Sequence, residues 1–350
     1  MSATKKNIRQ LGLADLEAFF ETLGEKKFRA KQVYEWIWSR QAHSFEAMTN
    51  LSKDLRLKLQ ENFSLPALTI DTTQYSSDGT VKSRFRTWDK HLVEGVLIPT
   101  EERKTACVSS QIGCSLSCKF CATGYMDRQR NLDFDEIFDE VVLINQQSEK
   151  VYNKKLTNIV FMGMGEPLLN YKNVLKAIER ISSPDGLGMS QRRITVSTAG
   201  VAKMIKQLGD DGVKFKLALS LHAANDKKRN EIMPINESNN LKALVEALNY
   251  FYKKTNNEIT FEYILFKNFN DSIEDADDLI RIYRQVPADL VNIIEYNPIE
   301  AATFAKPDEE AVQQFMAYLE KHRVNARLRR SRGKDIDAAC GQLANKAVPA

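Results

Sequence analysis

From Thr105 onward, short apolar segments rich in β-branched and aromatic residues alternate with longer segments that have helical periodicity. The strand-like segments are 159–161, 194–196, 215–221, 259–265 and 290–296. The helical patterns lie around 134–145, 172–181, 241–252, 273–283 and 309–322. Repeated βα units place parallel strands side by side with crossover helices, so we expect an α/β fold. About six units are too few for a closed eight-stranded barrel, which favours a partial (βα)6 TIM-like barrel.

Three amphipathic helices are predicted before this region. The first ends at Gly24, the second covers about residues 30–40, and the third begins after Ser52, a favoured N-cap residue. Spacings of three and four residues identify the positions that face inward. These positions are Leu16, Phe19, Phe20 and Leu23 in the first helix, Val33, Trp36 and Ile37 in the second, and Leu55 and Leu59 in the third.

In residues 68–99, apolar and polar residues alternate with a period of two, and a turn is predicted at Asp78-Gly79. This pattern predicts a meander of short strands that acts as a connector or as the edge of a sheet. The expected organisation is therefore a helical domain over 1–66, a β-strand connector over 67–100 and the barrel over 101–350.

Composition excludes several broad classes of protein. Hydrophobic residues make up 43% of the 350 residues and charged residues 27%, which is typical of globular proteins and not of disordered, collagen-like or coiled-coil chains. The N-terminal sequence MSATKKNIRQL lacks the apolar stretch of a secretory signal, and no segment approaches the roughly 18 apolar residues of a membrane helix. We therefore expect a cytoplasmic protein without a membrane span.

Basic residues are concentrated in two parts of the chain, although the net charge is only +4. Residues 1–65 contain 11 lysines and arginines against 8 acidic residues, and residues 321–334 contain seven basic residues and no acidic one. Clustered charge usually forms a solvated face, so this distribution alone favours a nucleic-acid partner only weakly.

Three of the five cysteines form a CxxxCxxC motif: Cys114, Cys118 and Cys121. An odd number of cysteines, with three in eight residues, is unlike a disulfide framework. This spacing lets three thiolates converge on one centre and leaves a fourth coordination position open. Thiolates are soft ligands that bind zinc or iron–sulfur clusters. A structural zinc site needs a fourth ligand, which would have to be Cys107, Cys340 or His222.

The motif, including Phe120 before its last cysteine, resembles the radical S-adenosylmethionine (SAM) superfamily. Five segments resemble the RlmN family, whose members methylate adenine C2 in ribosomal RNA. They are CVSSQIGC (107–114), MGMGEP (162–167), SLHA (220–223), EYNP (295–298) and RGKDIDAACGQL (332–343). The resemblance covers all but the extreme termini. It implies that Cys114, Cys118 and Cys121 hold a 4Fe-4S cluster and that the amine and carboxylate of SAM occupy its fourth iron.

The same resemblance assigns SAM-binding residues to positions where strands are predicted to end. Gly165 and Glu166 follow the strand-like segment 158–162, and Glu166 is expected to accept a hydrogen bond from the SAM amino group. Taken alone, this segment would equally fit a tight turn. The other implied contacts are Ser197, Ser220, Leu221, His222 and Asn297. Barrel enzymes place ligand contacts at strand ends, although each residue alone would fit a helix cap or a turn.

The resemblance also implies that Cys340 and Cys107 take part in the chemistry. Cys340 is expected to accept a methyl group from one SAM, and a radical derived from a second SAM then activates that methyl group for addition to the adenine. Cys107 is expected to resolve the resulting protein–RNA adduct by forming a disulfide with Cys340. Glu94 matches a carboxylate proposed to accept the C2 proton, but in an alternating strand it could equally face solvent.

The expected activity is C2 methylation of adenosine in 23S rRNA, and also of adenosine in the anticodon arm of tRNA. The helical domain and the segment Arg329-Arg330-Ser331-Arg332 are candidate contacts to the RNA backbone. An electron donor such as flavodoxin is expected to reduce the cluster, and family analogy predicts a monomer. The alternatives are a C8-adenine methyltransferase, a non-catalytic metal-bearing RNA-binding protein and an electron carrier. The RGKDIDAACGQL segment and the helical domain favour C2.

Overall fold

The secondary structure comes from a computed structural model that describes residues 5–346. The strands are β1 (Lys6–Asn7), β2 (Phe63–Ser64), β3 (Thr69–Tyr75), β4 (Val81–Arg86), β5 (Leu92–Pro99), β6 (Lys104–Cys107), β7 (Gln111–Ile112), β8 (Arg130–Asn131), β9 (Asn158–Phe161), β10 (Ile194–Thr198), β11 (Lys216–Ser220), β12 (Ile259–Leu265), β13 (Leu290–Glu295) and β14 (Ala326–Arg329). The α-helices are α1 (Leu13–Thr22), α2 (Phe28–Trp38), α3 (Lys53–Asn62), α4 (Phe134–Tyr152), α5 (Tyr171–Ser182), α6 (Ala202–Asp210), α7 (Asp226–Ile232), α8 (Leu241–Thr255), α9 (Ile273–Gln285) and α10 (Glu309–Lys321).

Ten strands form one sheet in the order β14-β13-β12-β11-β10-β9-β6-β5-β4-β3. In this sheet β6, β9, β10, β11, β12, β13 and β14 pair in parallel, and at least one α-helix lies between each of these strands and the next. β7 and β8 form a separate two-stranded antiparallel sheet. This arrangement confirms the predicted partial barrel of six βα units. β14 adds a further parallel strand that the sequence reading did not include. Strands such as β12 are buried at every position, as expected for strands covered on both faces.

The predicted meander over residues 68–99 is confirmed as β3, β4 and β5. These strands pair antiparallel with one another, and β5 pairs antiparallel with β6. The segment therefore extends the barrel sheet at one edge, and the division at residue 100 stays a prediction about domains. Because β5 runs antiparallel to β6, the β4–β5 turn lies beyond the C-terminal end of β6.

The N-terminal helices are confirmed, and one core residue, Trp38, was missed by the prediction. In α1, Leu16 and Phe20 are fully buried, and Ser52 caps α3 by accepting the N–H of Leu55. In α2 the predicted inward residue Trp36 is only partly buried, whereas Trp38 is 1% exposed. Trp38 packs edge-on against Phe138 of α4, a neighbour from a distant part of the chain that helical spacing alone does not reveal. Within residues 5–346, no helix is both long and apolar enough to cross a bilayer.

Candidate active site

A cavity of about 490 Å³ lies inside the barrel. Its volume is within the range of small-molecule sites. The ends of β6, β10, β11 and β14 contribute Cys107, Thr198, Ser220 and Arg329 to its lining. The C-terminal ends of barrel strands are where barrel enzymes bind ligands, so this cavity is the candidate active site.

The loop after β7 carries the three motif cysteines into this cavity. Cys114, Cys118 and Cys121 are half-buried, and all three line the cavity. The loop is compact because the N–H of Cys121 donates to the carbonyl of Cys118 at 3.2 Å. Burial raises the pKa of each thiol, to about 11 for Cys114, and repulsion from Cys121 raises the pKa of Cys118 further. Arg128 and Arg229 only partly offset these effects on Cys114 and Cys118. A bound metal centre would favour the thiolates further.

The three thiols of the motif fit an iron–sulfur cluster. Within residues 5–346, no three His, Cys, Asp or Glu side chains are arranged to hold a single metal ion. Tetrahedral zinc needs its ligands to meet at one point. Cys114, Cys118 and Cys121 would hold an iron–sulfur cluster at the cavity, because thiolates are soft ligands suited to such clusters. The candidate fourth zinc ligand His222 instead accepts the N–H of Ile264 through Nδ1 at 3.2 Å.

Glu166 follows β9 and lies at the cavity wall, as predicted. It is 2% exposed, and its carboxylate accepts the N–H groups of Leu168 at 3.0 Å and Ala199 at 2.7 Å. A carboxylate has about four acceptor positions, so capacity remains for an ammonium group. Burial raises the pKa of Glu166, and a neighbouring ammonium would favour its ionised form. Gly165 adopts φ +91°, and a Cβ there would lie 2.4 Å from the Cβ of Gln111, so this glycine serves close packing of the chain.

The next strand ends bring two of the predicted hydroxyl groups together. Ser197 Oγ and Ser220 Oγ lie 3.3 Å apart, one on β10 and one on β11, and both line the cavity. His222 also lines it, with φ +53° and its ring edge-on to Phe120 at 4.7 Å. Burial lowers the pKa of His222 to about 3, with the charge of Arg229 adding to the effect, so the ring is neutral and a weak base at neutral pH.

Two predicted SAM contacts are not part of the described cavity lining. Leu221 is fully buried. Its N–H donates to the carbonyl of Glu262, and its carbonyl accepts a hydrogen bond from the Arg229 side chain. Asn297 donates from Nδ2 to the carbonyl oxygen of Cys340 at 3.2 Å. Its side chain therefore holds the segment that carries Cys340, a contact that strand-end position alone did not indicate.

Arg229 on α7 is a site residue that sequence reasoning missed. It is fully buried and donates to the carbonyls of Leu221 at 3.0 Å and Ala199 at 2.6 Å and to the Asn236 side chain at 2.6 Å. The loops after β10 and β11 are thereby held in one arrangement. Burial lowers the pKa of Arg229 to about 10, and the nearby Cys118 opposes this effect. An isolated arginine in a short polar helix carries no sequence signal for such a role.

Cys107 and Cys340 both line the cavity, and all five cysteines are free thiols. Burial raises the pKa of Cys107 well above its usual value, and the neighbouring Cys340 raises it further. The positive charge of Arg329 lowers the pKa of Cys107 and so partly offsets these effects. The pKa of Arg329 is raised, chiefly by Cys340. The two distant cysteines and Arg329 therefore form one electrostatic group.

Arg329, the first residue of the basic segment predicted to contact RNA, faces the cavity; the RNA contact itself stays a prediction. It lies at the end of β14, half-buried, with the guanidinium 3.6 Å from Glu262 Oε2 inside the barrel. The adjacent Arg330 pairs with Glu295 at 2.7 Å and with Glu309 at 2.7 Å. Glu262 also accepts from Asn292 Nδ2 at 2.7 Å, so polar side chains from β12, β13 and β14 are joined within the barrel. This network was missed because alternating arginines resemble a solvated face.

Glu94 does not face solvent, contrary to one of the two sequence interpretations. It is 2% exposed on β5, and Lys82 Nζ lies 3.5 Å from its Oε1. Its Oε2 accepts the N–H groups of Ala344 at 2.9 Å and Asn345 at 3.1 Å. Among the described residues, Glu94 is outside the cavity lining, and its carboxylate holds the C-terminal end of the chain.

Comparisons with known proteins agree with this geometry. Residues 6–65 match the model of the ribosomal RNA large subunit methyltransferase N-terminal domain, and residues 108–280 match the radical SAM superfamily. The chain is 58% identical over 344 residues to a probable dual-specificity RNA methyltransferase RlmN of Cytophaga hutchinsonii, covering 98% of this chain and 94% of that protein. It is 41% identical to a dual-specificity RNA methyltransferase RlmN of Geotalea uraniireducens, covering 97% of this chain and 96% of that protein.

A crystal structure of a radical SAM methyltransferase from Sphaerobacter thermophilus superposes with a TM-score of 0.91 at 38% identity. The match covers 97% of this chain and 100% of that one. Superfamily membership makes SAM and a 4Fe-4S cluster the cofactors, in agreement with the three thiols in the cavity. With matches of this identity over nearly the whole chain, the protein belongs to the RlmN family of radical SAM RNA methyltransferases.

Proposed function

We propose that this enzyme methylates C2 of an adenosine in 23S rRNA and of an adenosine in the tRNA anticodon arm, with Cys340 as the methyl carrier. The observation that supports the proposal is that Cys340 and Cys107 line the same cavity as the three motif cysteines. Adenine C2 is an electron-poor carbon without a lone pair, so it cannot attack a SAM methyl group as an amine would. A thiol that first takes the methyl group, followed by radical activation, avoids this obstacle.

The SAM site is proposed at the strand ends. Glu166 accepts from the SAM amino group, and Gly165, Ser197, Ser220, Leu221, His222 and Asn297 form or support the surrounding wall. Cys114, Cys118 and Cys121 would hold the cluster. When bound, the cluster supplies the electron that cleaves a second SAM, and the resulting 5′-deoxyadenosyl radical takes a hydrogen atom from the S-methyl group of Cys340.

The remaining steps use Cys340 and Cys107, the two cysteines outside the cluster motif. The methylene radical on Cys340 adds to adenine C2. The adduct radical then loses the C2 proton and one electron, which the cluster, oxidised when SAM was cleaved, would take back. Cys107 attacks the Cys340 sulfur, the bond from sulfur to the methylene carbon breaks, and that carbon takes a proton to become the 2-methyl group. An external dithiol then reduces the Cys107–Cys340 disulfide for the next turnover.

We assign the C2 proton to Cys107, because the Glu94 carboxylate is engaged elsewhere. Methylated Cys340 is uncharged, so its repulsion of a Cys107 thiolate is removed. Burial still raises the pKa of Cys107, and Arg329 acts in the opposite direction. A Cys107 thiolate formed beside Arg329 can accept the proton and return it to the methylene carbon as the disulfide forms.

The partners proposed on family grounds are 23S rRNA, tRNA and an electron donor such as flavodoxin, for a cytoplasmic monomer. The target adenosine must leave its stack to enter the cavity, so an RNA loop is the expected substrate form.

The test is anaerobic incubation of the reconstituted enzyme with SAM, a reductant and unmodified 23S rRNA or tRNA, followed by nucleoside mass spectrometry. 2-Methyladenosine supports the proposal. 8-Methyladenosine would assign the C8 reaction instead, and neither product, with SAM cleavage intact, would mean a different substrate. C340A is expected to form no methylated nucleoside while keeping the cluster absorbance, and C107A is expected to accumulate protein cross-linked to RNA.

A further inference from the structure

The C-terminal segment, residues 331–346, joins the two ends of the ten-stranded sheet. It begins directly after β14 at one edge. At the other edge, Asp78 in the β3–β4 turn accepts the N–H of Gly333 at 2.9 Å, and Ser76 donates to Asp335 at 2.5 Å. Asn345 then donates from Nδ2 to the carbonyl of Leu92 on β5 at 2.7 Å. The segment therefore closes the open side of the partial barrel and brings Cys340 to the cavity.

Lys82 and Glu94 hold this segment on opposite sides of Cys340. Lys82 Nζ donates to the carbonyl of Asp337, three residues before Cys340, at 3.4 Å. Glu94 accepts the N–H groups of Ala344 and Asn345, four and five residues after it. The two side chains pair with each other at 3.5 Å and are 6% and 2% exposed. One ion pair on neighbouring strands thus fixes both ends of the loop that carries the thiol.

Burying an ion pair costs desolvation free energy that can exceed the electrostatic attraction, so a buried pair is weak evidence for stability. We therefore examine which groups this pair positions. Each charge here has a partner outside the pair, and both outside partners are backbone groups of the same loop. If either charge is removed, the other is left buried, and a hydrogen bond to the loop is weakened or lost.

We propose that Lys82 and Glu94 are positioning residues that hold Cys340 at the cavity, so that Glu94 acts through the loop and not as the proton acceptor. The inference rests on the proposed role of Cys340 as methyl carrier. That role requires the sulfur to meet the SAM methyl group, the adenine and Cys107 in turn. Displacements of about 1 Å can reduce such steps about a hundred-fold.

The test compares K82M, K82R, E94A and E94Q in the full-length enzyme. The matched control is K104M, which removes another buried lysine whose Nζ donates to the carbonyl of Thr100 and not to the C-terminal segment. Three readouts are measured: hydrogen exchange of residues 338–345, the rate of Cys340 alkylation by iodoacetamide followed by peptide mass spectrometry, and methylation of Cys340 and of RNA with SAM.

K82M and E94A are expected to speed Cys340 alkylation by about ten-fold or more, because each leaves a buried charge that favours opening of the loop. Hydrogen exchange in 338–345 should rise in parallel, and kcat for RNA methylation should fall with little change in KM. K82R keeps both the charge and the donor and should restore most of the wild-type behaviour. E94Q keeps an acceptor for the N–H groups of Ala344 and Asn345 but leaves the Lys82 charge unpaired, so its alkylation and exchange rates should lie between those of wild type and E94A. K104M should behave as wild type in all three readouts.

Two results would overturn the proposal. The first is unchanged alkylation and exchange in both K82M and E94A. The second is an E94Q enzyme that methylates Cys340 at the wild-type rate, keeps the loop protected and yet forms no 2-methyladenosine, because that pattern makes the carboxylate the base. Failure of the wild-type enzyme to methylate Cys340 would instead refute the proposed function, while the alkylation and exchange data would still decide whether Lys82 and Glu94 hold the loop.

Discussion

The guanidinium of Arg229 is the clearest example of one residue that fixes several others. It connects the carbonyls of Ala199, Ser220 and Leu221, which belong to the loops that carry most of the predicted SAM contacts. Three backbone carbonyls bound to one side chain cannot all find new partners in a buried environment.

R229M is therefore expected to lower the free energy of unfolding by about 3 kcal/mol, since it leaves several buried acceptors unpaired. Chemical denaturation of the apoprotein measures this change. R192M is the control because Arg192 is exposed, and its effect should stay within about 0.5 kcal/mol. If both variants lost the same stability, Arg229 would have no special role in holding the loops.

Glu140 on α4 makes a pH-dependent contribution. It is fully buried, accepts only the N–H of Ser109 at 3.1 Å among the described residues, and its pKa is raised well above the ordinary value by burial. A raised pKa means that the folded protein binds this proton more tightly than the unfolded chain does. Its stabilising contribution is therefore complete below about pH 4.3 and is lost as the pH rises toward the folded-state pKa.

E140Q does not titrate, so its stability relative to wild type should increase with pH. We expect the difference in unfolding free energy to grow by about 1 kcal/mol or more between pH 4.5 and 7.5, measured by urea denaturation at each pH. E61Q, at an exposed position, should show no such trend. A pH-independent difference for E140Q would show that Glu140 keeps an ordinary pKa in the folded protein.

Functional residues that form a recognisable spacing pattern could be predicted from the sequence. Residues that act through tertiary contacts could not. The three motif cysteines were visible because their thiols lie on one loop. Glu94 and Arg229 were not assigned their roles because their partners are backbone groups far away in the chain. No local pattern distinguishes a glutamate that binds such groups from one that faces solvent.

Among the secondary-structure elements, β14 shows why the partial barrel was predicted one strand short. Its sequence, Ala-Arg-Leu-Arg, alternates as a strand should, but the residues that line the cavity are the two arginines. Arg327 donates to Asn292 Oδ1, and Arg329 lies 3.6 Å from Glu262 Oε2. Apolar periodicity detects strands that face an apolar core, whereas this strand faces a polar cavity. The helices α6 and α7, of nine and seven residues, were missed because short helices provide few turns of periodic signal.

The helical domain is joined to the barrel mainly at α4. Arg9 forms two hydrogen bonds of 2.6 Å with the carboxylate of Asp139, and its guanidinium lies 4.9 Å from the centre of the Trp38 ring. All of these groups are buried. Burial raises the pKa of the neighbouring Asp135 to about 6, and Arg9 counteracts this increase.

R9M is expected to destabilise the docking of the helical domain by about 3–5 kcal/mol, because it leaves buried carboxylates without a cation. Denaturation followed by limited proteolysis within residues 5–66 measures the effect. The double variant R9M/D139N should recover part of the loss. K27M removes an exposed ion pair with Glu21, which solvent screens, and should leave the stability almost unchanged. Equal effects of R9M and K27M would show that the buried pair does not join the two parts.

For binding of RNA by the whole molecule, the location of unpaired positive charge matters more than the net charge. In the C-terminal region, Arg330 and Lys334 are paired with Glu295, and Arg332 donates to the carbonyl of Asp78. On the helical domain, by contrast, Lys26 and Lys31 are exposed on either side of Phe28, which is 50% exposed. An exposed aromatic ring between lysines is a typical arrangement for binding RNA.

We therefore expect RNA affinity to depend on salt through the helical domain. Each lysine that contacts a phosphate adds about one to the slope of the logarithm of affinity against the logarithm of salt concentration, so K26Q/K31Q should reduce this slope by about two. R330Q should leave the slope unchanged, because Arg330 is already paired with two glutamates. Filter binding or fluorescence anisotropy from 50 to 300 mM KCl, with the stability of each variant measured in parallel, distinguishes the two surfaces. A reduced slope for R330Q alone would place the phosphate contacts on the C-terminal segment, and the helical domain would then contribute to binding through shape and stacking.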